Sequence, residues 1–169
     1  MKIDLKKLNT SAHASIPFDE TIDLTDEKLY GAKPFQSPVH IKGVVSNESG
    51  VVSLAGSIET IYSTECARCL KPLEIPLSAE ADMMLSDDPE AEEEDDLFVL
   101  TSDSVDPADV LVPALILQVQ MTYLCKEDCK GLCPHCGADR NVTDCDCDKK
   151  QIDPRFAALR ALLDSDKGE

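Results

Sequence analysis

The sequence predicts an α+β fold, in which an antiparallel β-sheet meander, open or barrel-like, precedes two helices and a cysteine-rich, zinc-binding C-terminal segment. Three observations support this class. Apolar and polar residues alternate through most of the first 85 residues, which is the period of a sheet with one buried face. Two helix-start signals follow. Six of the eight cysteines lie between residues 125 and 147.

Length and composition are those of one globular domain over residues 1–169. A chain of 169 residues with 43% hydrophobic residues can bury a core of its own. Charges interrupt the N-terminal residues every few positions, and the longest apolar run covers only residues 110–117. A bilayer span needs roughly 20 apolar residues. We therefore expect no signal peptide, no contact with a membrane and a cytoplasmic location.

The net charge of −17 is concentrated in the middle of the chain. Residues 1–71 carry 8 basic and 9 acidic side chains, and residues 125–169 carry 8 basic and 10 acidic ones. Residues 72–124 carry 14 acidic side chains and no basic one. A general nucleic-acid-binding domain would instead be basic. The acidic middle repels phosphate and attracts basic proteins, whereas the near-neutral ends leave room for local basic patches.

Five strands are predicted in the first 85 residues, because apolar or β-branched residues alternate in each. A turn signal at 47–50 separates the third strand from the fourth. The pair Cys66 and Cys69 falls at the corner between the fourth strand and the fifth. The predicted strands lie within residues 1–9, 15–24, 39–45, 51–63 and 73–85.

An acidic loop is predicted over residues 86–105. Eight of the ten residues from Asp87 to Asp96 are acidic, so this run has few apolar side chains to bury. Its composition suits a solvated loop, and it also suits a docking surface for a basic partner.

Two helices are predicted, over residues 106–121 and 153–163. Asp106-Pro107 and Asp153-Pro154 each combine a capping side chain with a proline at the first helical position. Pro113 is expected to kink the first helix or delay its start, because proline cannot donate a helical hydrogen bond. The apolar stripe predicted for this helix consists of Val110, Ala114, Leu117 and Met121.

The eight cysteines occur in closely spaced pairs, which is what two four-cysteine metal sites require. In Cys133-Pro-His-Cys136-Gly137, Pro134 presets the turn and Gly137 lets backbone N–H groups turn towards sulfur. Such spacing favours zinc over an iron–sulfur cluster, since nothing resembles ferredoxin spacing. His135 is expected to face solvent. The predicted zinc ligands are Cys66, Cys69, Cys125, Cys129, Cys133, Cys136, Cys145 and Cys147.

Two partitions of these ligands are open. In the first, Cys66, Cys69, Cys125 and Cys129 share one metal ion and the last four cysteines share another. In the second, Cys66 and Cys69 join Cys133 and Cys136, and the other four form a second or an empty site. Either partition gives a structural metal, because four thiolates leave no position for a substrate. A thioredoxin-like motif is disfavoured at Cys66, since Pro72 and a strand follow where a helix is needed.

The cysteine block and its flanks resemble the YceD-like family of large ribosomal RNA subunit accumulation proteins. The resemblance rests on Cys66-Ala-Arg-Cys69-Leu70, on Leu124-Cys-Lys-Glu-Asp-Cys-Lys-Gly-Leu-Cys-Pro-His-Cys-Gly137, on Asn141 before Cys145-Asp-Cys147, and on Ile152-Asp-Pro-Arg-Phe-Ala-Ala-Leu159. The order of sheet, cysteine pair, acidic loop, helix, cysteine cluster and terminal helix extends it over nearly the whole chain.

The resemblance implies a non-enzymatic role in large ribosomal subunit biogenesis, through the amount of its ribosomal RNA. It implies as partner ribosomal RNA or a large-subunit ribosomal protein, with a zinc-ribbon protein among the candidates. The residues themselves also argue against an enzyme, since we find no Ser/His/Asp set, no phosphate-binding glycine loop and no open metal site. The alternatives are a thiol redox switch and a generic acidic adaptor for another basic protein.

Seven basic residues flank the cysteines and are candidates for contact with RNA phosphates. The same cations are expected on electrostatic grounds alone, because a zinc ion with four thiolates carries a net negative charge. Both explanations are open at the level of sequence. The residues are Arg68, Lys71, Lys126, Lys130, Arg140, Lys149 and Lys150.

Overall fold

The computed structural model describes residues 2–8, 13–88 and 96–147. The chain divides into two compact units, Met1–Cys125 and Lys126–Glu169, and one domain for the whole chain stays a prediction. The helix predicted over 153–163, Lys149, Lys150 and most of the acidic run lie outside the described residues. In the part of the chain that is described, no helix is long and apolar enough to cross a bilayer.

Seven strands lie in the first unit: β1 (Ile3–Asp4), β2 (Ser15–Ile22), β3 (Val39–Glu48), β4 (Val51–Glu65), β5 (Pro72–Ser86), β6 (Leu97–Val99) and β7 (Ser104–Val105). Strands β2 to β6 form one sheet in chain order. The pairs from β2 to β5 are antiparallel, as the predicted meander requires. β6 pairs parallel with β5, so the complete sheet is mixed. Over the described residues its edges are β2 and β6, and it does not close into a barrel.

The N-terminal residues and the predicted acidic loop differ from expectation. Only β1 is extended at the N-terminus, and a 3-10 turn follows it at Leu5–Lys7. β6 and β7 lie within residues 86–105, which the sequence assigns to a loop. β6 is an apolar triplet that joins the edge of the large sheet, and β7 pairs with β1. Both strands are therefore defined by their pairing with another strand rather than by a local sequence pattern.

The turn predicted between the third and fourth strands is confirmed. Ser49 and Gly50 both have positive φ, at 56° and 96°, which is the geometry of a two-residue type I′ hairpin turn. Asn47 Oδ1 accepts a hydrogen bond from the Gly50 N–H at 2.9 Å. The turn sets the register in which β4 runs back along β3.

Helix α1 (Pro107–Leu117) starts as predicted. Asp106 Oδ1 accepts from the Ala108 N–H at 3.1 Å, and Pro107 occupies the first turn. The helix already includes Pro113, so the expected delay of its start is wrong.

The buried face of α1 also differs from the predicted stripe. Leu117 and Met121 are 83% and 90% exposed, whereas Leu111 and Leu115 are fully buried. Val110 is buried and Ala114 packs against the core, as predicted. Beyond Val110 the buried face is shifted by one position, to Leu111 and Leu115, which belong to the same core as Ile58 of β4. Alternate residues of β4 point into this core, which confirms the predicted period of two.

Candidate metal centres

The eight cysteine sulfur atoms gather into two groups of four, and within each group all lie within 4.8 Å of one another. Cluster A is Cys66, Cys69, Cys125 and Cys129, and cluster B is Cys133, Cys136, Cys145 and Cys147. The grouping agrees with the first of the two partitions and not with the crossed one. Sulfurs around a tetrahedral zinc ion are about 3.8 Å apart for zinc–sulfur bonds of about 2.3 Å. Both groups therefore have dimensions that suit one bound ion.

The first pair of cluster A lies in the corner between β4 and β5. These strands pair as far as Glu65 and Pro72, which leaves a six-residue connection. The Leu70 N–H donates to the Cys66 carbonyl at 2.9 Å, and the Cys66 N–H donates to the Lys71 carbonyl at 2.8 Å. Leu70 has a φ of 58°. The chain thus reverses through a left-handed step at a residue that is not glycine.

Tyr123 brings the segment after α1 to this corner. Its carbonyl accepts from the Ala67 N–H at 2.9 Å, and its ring centroid lies 5.5 Å from that of Tyr62 in β4. Cys125 follows two residues later, with its Sγ 3.6 Å from the Sγ of Cys69. Sequence reasoning missed Tyr123, although an aromatic residue two positions before a predicted ligand was an available signal.

The first pair of cluster B repeats the backbone pattern of cluster A. The Gly137 N–H donates to the Cys133 carbonyl at 2.9 Å, and the Cys133 N–H donates to the Ala138 carbonyl at 2.8 Å. Gly137 has a φ of 73°, as its predicted part in the turn requires. His135 is exposed, as expected.

The Asn141 side chain contacts three residues of the second unit, Lys130, Asp139 and Cys129. Its side-chain oxygen accepts from the Lys130 N–H at 2.9 Å, and its side-chain amide group donates to Asp139 Oδ1 at 2.7 Å. The same amide group lies 3.4 Å from Cys129 Sγ. Hydrogen bonds of this kind orient metal ligands from outside the coordination shell. Ligand spacing alone gave Asn141 no such role.

Backbone N–H groups lower the pKa of the first thiol in cluster A. Hydrogen bonds from the N–H groups of Cys125, Arg68 and Cys69, with Cys125 the largest contributor, lower the pKa of Cys66 to about 6, although burial opposes them. A thiolate is the form that binds a metal ion. The local fold therefore favours the ligand form of Cys66.

Cluster B shows the same effect at its first thiol and the opposite one at its last. The N–H groups of Cys136 and His135 lower the pKa of Cys133 to about 6. A hydrogen bond with the Cys136 sulfur, followed by burial, raises the pKa of Cys147 to about 12. Cys147 therefore holds its proton tightly, and a cation among the sulfur atoms would favour release of that proton.

Five of the seven basic candidates lie among the described residues. Arg68 and Lys71 belong to the first unit and are exposed. Lys126 and Lys130, in the second unit, are exposed, and Arg140 is half-buried. Their contact with RNA stays a prediction.

The donor set indicates what the clusters can do. Each offers four sulfur ligands, and among the described residues no histidine or carboxylate joins either group. An ion held by four thiolates has no open position for a substrate or an activated water. The chemistry of both clusters therefore fits a structural metal ion.

Comparison with known proteins places this architecture in a family. Residues 54–163 match the family model described as large ribosomal RNA subunit accumulation protein YceD. The uncharacterized protein YlbN of Bacillus subtilis is 30% identical over 169 residues, covering 98% of each chain. The chloroplastic large ribosomal RNA subunit accumulation protein YCED homolog 1 of Zea mays is 25% identical, over 72% of this chain and 52% of its own length. The Arabidopsis thaliana protein of the same name is 23% identical, over 76% of this chain and 50% of its own length.

No solved structure matches the chain. The family assignment therefore rests on the sequence matches, which include the β4–β5 corner, α1 and both cysteine clusters. A match over residues 54–163, together with a relative 30% identical along nearly its whole length, shows that the chain belongs to the YceD family.

Proposed function

We propose that this protein is a non-enzymatic factor in large ribosomal subunit biogenesis that supports accumulation of the subunit's ribosomal RNA. Membership of the YceD family carries the proposal. The two clusters of four cysteines support its non-enzymatic part, because neither would leave a metal position open for chemistry. The site of action proposed for this chain is the cytoplasm.

The metal proposed for the two clusters is zinc, with one ion in each. Sulfur-only donor sets suit zinc, and the separation of 3.6 Å between the sulfurs of Cys69 and Cys125 is close to that of a tetrahedral site. The ions would hold the backbone of both cysteine pairs and supply no catalysis.

The proposed contact is with ribosomal RNA or with a basic ribosomal protein. The basic residues beside the cysteines favour RNA phosphates. The acidic residues of the middle segment favour a basic protein. RNA is negatively charged and a basic ribosomal protein is positively charged, so reversing the charge of a candidate surface distinguishes the two contacts.

The test of function is complementation of a strain that lacks the gene. The wild-type chain should restore the amount of large-subunit ribosomal RNA and should co-sediment with large-subunit precursors. A chain carrying Lys126→Glu and Lys130→Glu tests the RNA contact, and a chain carrying Lys2→Glu and Lys28→Glu is the control of equal charge. If wild-type protein neither associates with precursors nor restores the RNA, the proposed function is wrong.

The test of the metal is analysis of protein purified without added zinc. We expect about two zinc ions per chain, and about one after Cys69→Ser or Cys136→Ser. Protein that contains no metal and whose thiols all titrate in the folded state would contradict the proposal. That outcome would favour the redox switch.

A further inference from the structure

We infer that the open edge of β5 binds an extended basic segment of a partner protein, which adds a strand to the sheet. This inference deepens the proposed function. It rests on that function in one respect, namely that the partner is a protein of the assembling large ribosomal subunit.

β5 has one paired edge and one edge that is largely open. Residues 72–85 pair with β4 in an unbroken register. On the other side β6 pairs only with Met84–Ser86. Among the described residues, no backbone hydrogen bond reaches residues 73–83 on that side. An open edge of this length offers a row of N–H and C=O groups to another chain.

Two hydrogen bonds establish which groups point outwards. The Met84 N–H donates to the Asp96 carbonyl at 2.8 Å, and the Leu100 N–H donates to the Ser86 carbonyl at 2.7 Å. Both bonds are on the β6 side of β5. Because backbone direction alternates along a strand, even-numbered residues of β5 direct their N–H and C=O groups to the open edge. Pro76 fits this assignment, since proline is tolerated where its missing N–H would face away from the ladder.

The usable part of the edge lies beyond Pro76. Ser78, Glu80 and Asp82 are exposed, and each directs one donor and one acceptor outwards. These six groups match a partner strand of about seven residues. Addition of a strand to such an edge is an established mode of peptide recognition, in which backbone bonds give affinity and alternate side chains give specificity.

Charge identifies the occupant. Glu80 and Asp82 project from β5, and Glu59 lies opposite Ser78 on β4, so three carboxylates stand near the edge on one face of the sheet. Residues 72–124 contain no lysine or arginine. On the other face the half-buried Ala81 lies next to the edge. The partner strand should therefore alternate basic residues with apolar ones.

A second copy of the chain is a poor occupant of this edge. Antiparallel pairing of two β5 strands centred on Glu80 would set Glu80 against Glu80 and Asp82 against Ser78. Like charges placed opposite one another destabilise a sheet. The same carboxylates that favour a basic strand thus protect the edge from self-association.

The probe for this edge is a labelled seven-residue peptide that alternates lysine and valine, with its binding measured by fluorescence anisotropy at low salt. A peptide with four consecutive lysines followed by three valines is its control of equal composition. The alternating peptide should bind at least about tenfold more tightly, since only it can place lysines on one face of an added strand. Equal binding of the two peptides would overturn strand addition.

Variants of the chain locate the site. Ser78→Pro removes one outward N–H and should weaken binding at least about fivefold, whereas Ser78→Ala keeps that N–H and should bind as the wild type does. Glu80→Lys with Asp82→Lys should weaken binding by about tenfold or more, and Asp19→Lys on β2 controls for a charge change at the opposite edge. If Ser78→Pro does not fold, the double charge variant still decides. Unchanged binding to the double variant would overturn the inference.

The same variants in the co-sedimentation assay separate this inference from the proposed function. Loss of precursor association in the double charge variant, with Asp19→Lys normal, would support the β5 edge as the contact. Normal association of that variant would overturn the edge as the contact and leave the proposed function standing. Failure of the wild-type chain to associate would instead remove the proposed function.

Discussion

The two cysteine pairs share one backbone design in two different settings. In each, the residue after the second cysteine has positive φ and donates to the carbonyl of the first cysteine. The pair in cluster A joins the ends of two 15-residue strands, and both of its cysteines are buried. The pair in cluster B lies in the short second unit, and Cys136 is exposed.

The same turn can therefore stabilise long-range or local structure, depending on where in the chain the other two cysteines of its cluster lie. In cluster A, Cys69 and Cys125 are 56 positions apart. In cluster B, Cys136 and Cys145 are separated by only nine positions. By loop-closure scaling, linking the longer loop restricts the unfolded chain by about 1.6 kcal/mol more. Cluster A should therefore matter more for global stability.

The largest expected effect is that of removing one ligand from cluster A. Cys69→Ser should lower the free energy of unfolding by several kcal/mol, because a structural metal contributes directly to folding and the sheet corner loses its link to the segment after α1. Cys136→Ser, the matched change in cluster B, should cost clearly less. Thermal and urea unfolding of both variants measure the difference.

A Cys136→Ser variant at least as destabilised as Cys69→Ser would contradict the greater importance of cluster A for global stability. A circular dichroism spectrum after each change supplies the control. The β-sheet signal should persist in Cys136→Ser, since no described strand of the large sheet belongs to the second unit.

The next effect is kinetic and concerns access to the thiols. With a chelator present, the exposed Cys136 should react with an alkylating reagent about ten times faster than Cys66, because full burial keeps the reagent from the Cys66 sulfur even though its lowered pKa favours the reactive thiolate. Mass spectrometry of timed samples would assign each modified cysteine. Equal rates would indicate that both clusters open together, in one cooperative step.

The large sheet could be predicted well from the sequence, and its edge could not. Strands β3 to β5 have 10 to 15 residues, so a period of two is visible in each. β6 and β7 have three and two residues, and no period can be read from them. β7 pairs with β1 at the other end of the first unit, where Val105 lies opposite Ile3, and β6 joins the sheet by a parallel pairing of Leu97 with Met84. The shifted face of α1 has the same origin, since packing on the sheet decides which leucines are buried.

The ligands could be predicted from spacing, but their grouping could not. Cys66 and Cys69 are a pair by sequence, and spacing alone lets them join either Cys125 or Cys133. What distinguishes the two partitions is the bond between the Ala67 N–H and the Tyr123 carbonyl, which sets Cys125 beside the β4–β5 corner. That contact depends on the register of β4 with β5 and on the end of α1, so it is a property of the tertiary structure.

A smaller effect is expected at the glycine of cluster B. Gly137→Ala should lower the free energy of unfolding of the second unit by about 1 kcal/mol, because its φ of 73° strains any residue with a Cβ atom. An added Cβ would meet no atom within 4 Å, so the cost would be backbone strain alone. Hydrogen exchange at the Cys133–Gly137 turn would report it. No increase in exchange would show that the turn tolerates this strain.

The smallest effect belongs to the equivalent position of cluster A, where Leu70 already carries that strain. Leu70→Gly should raise the free energy of unfolding by at most about 1 kcal/mol, because relief of the left-handed conformation is partly offset by the greater freedom of glycine in the unfolded chain. Leu70 is 57% exposed, so little burial is lost. Leu70→Ala is the control, since it removes the side chain and keeps the strain. If glycine and alanine had the same effect, the side chain rather than the backbone would determine stability at this corner, and the two turns would not be energetically equivalent.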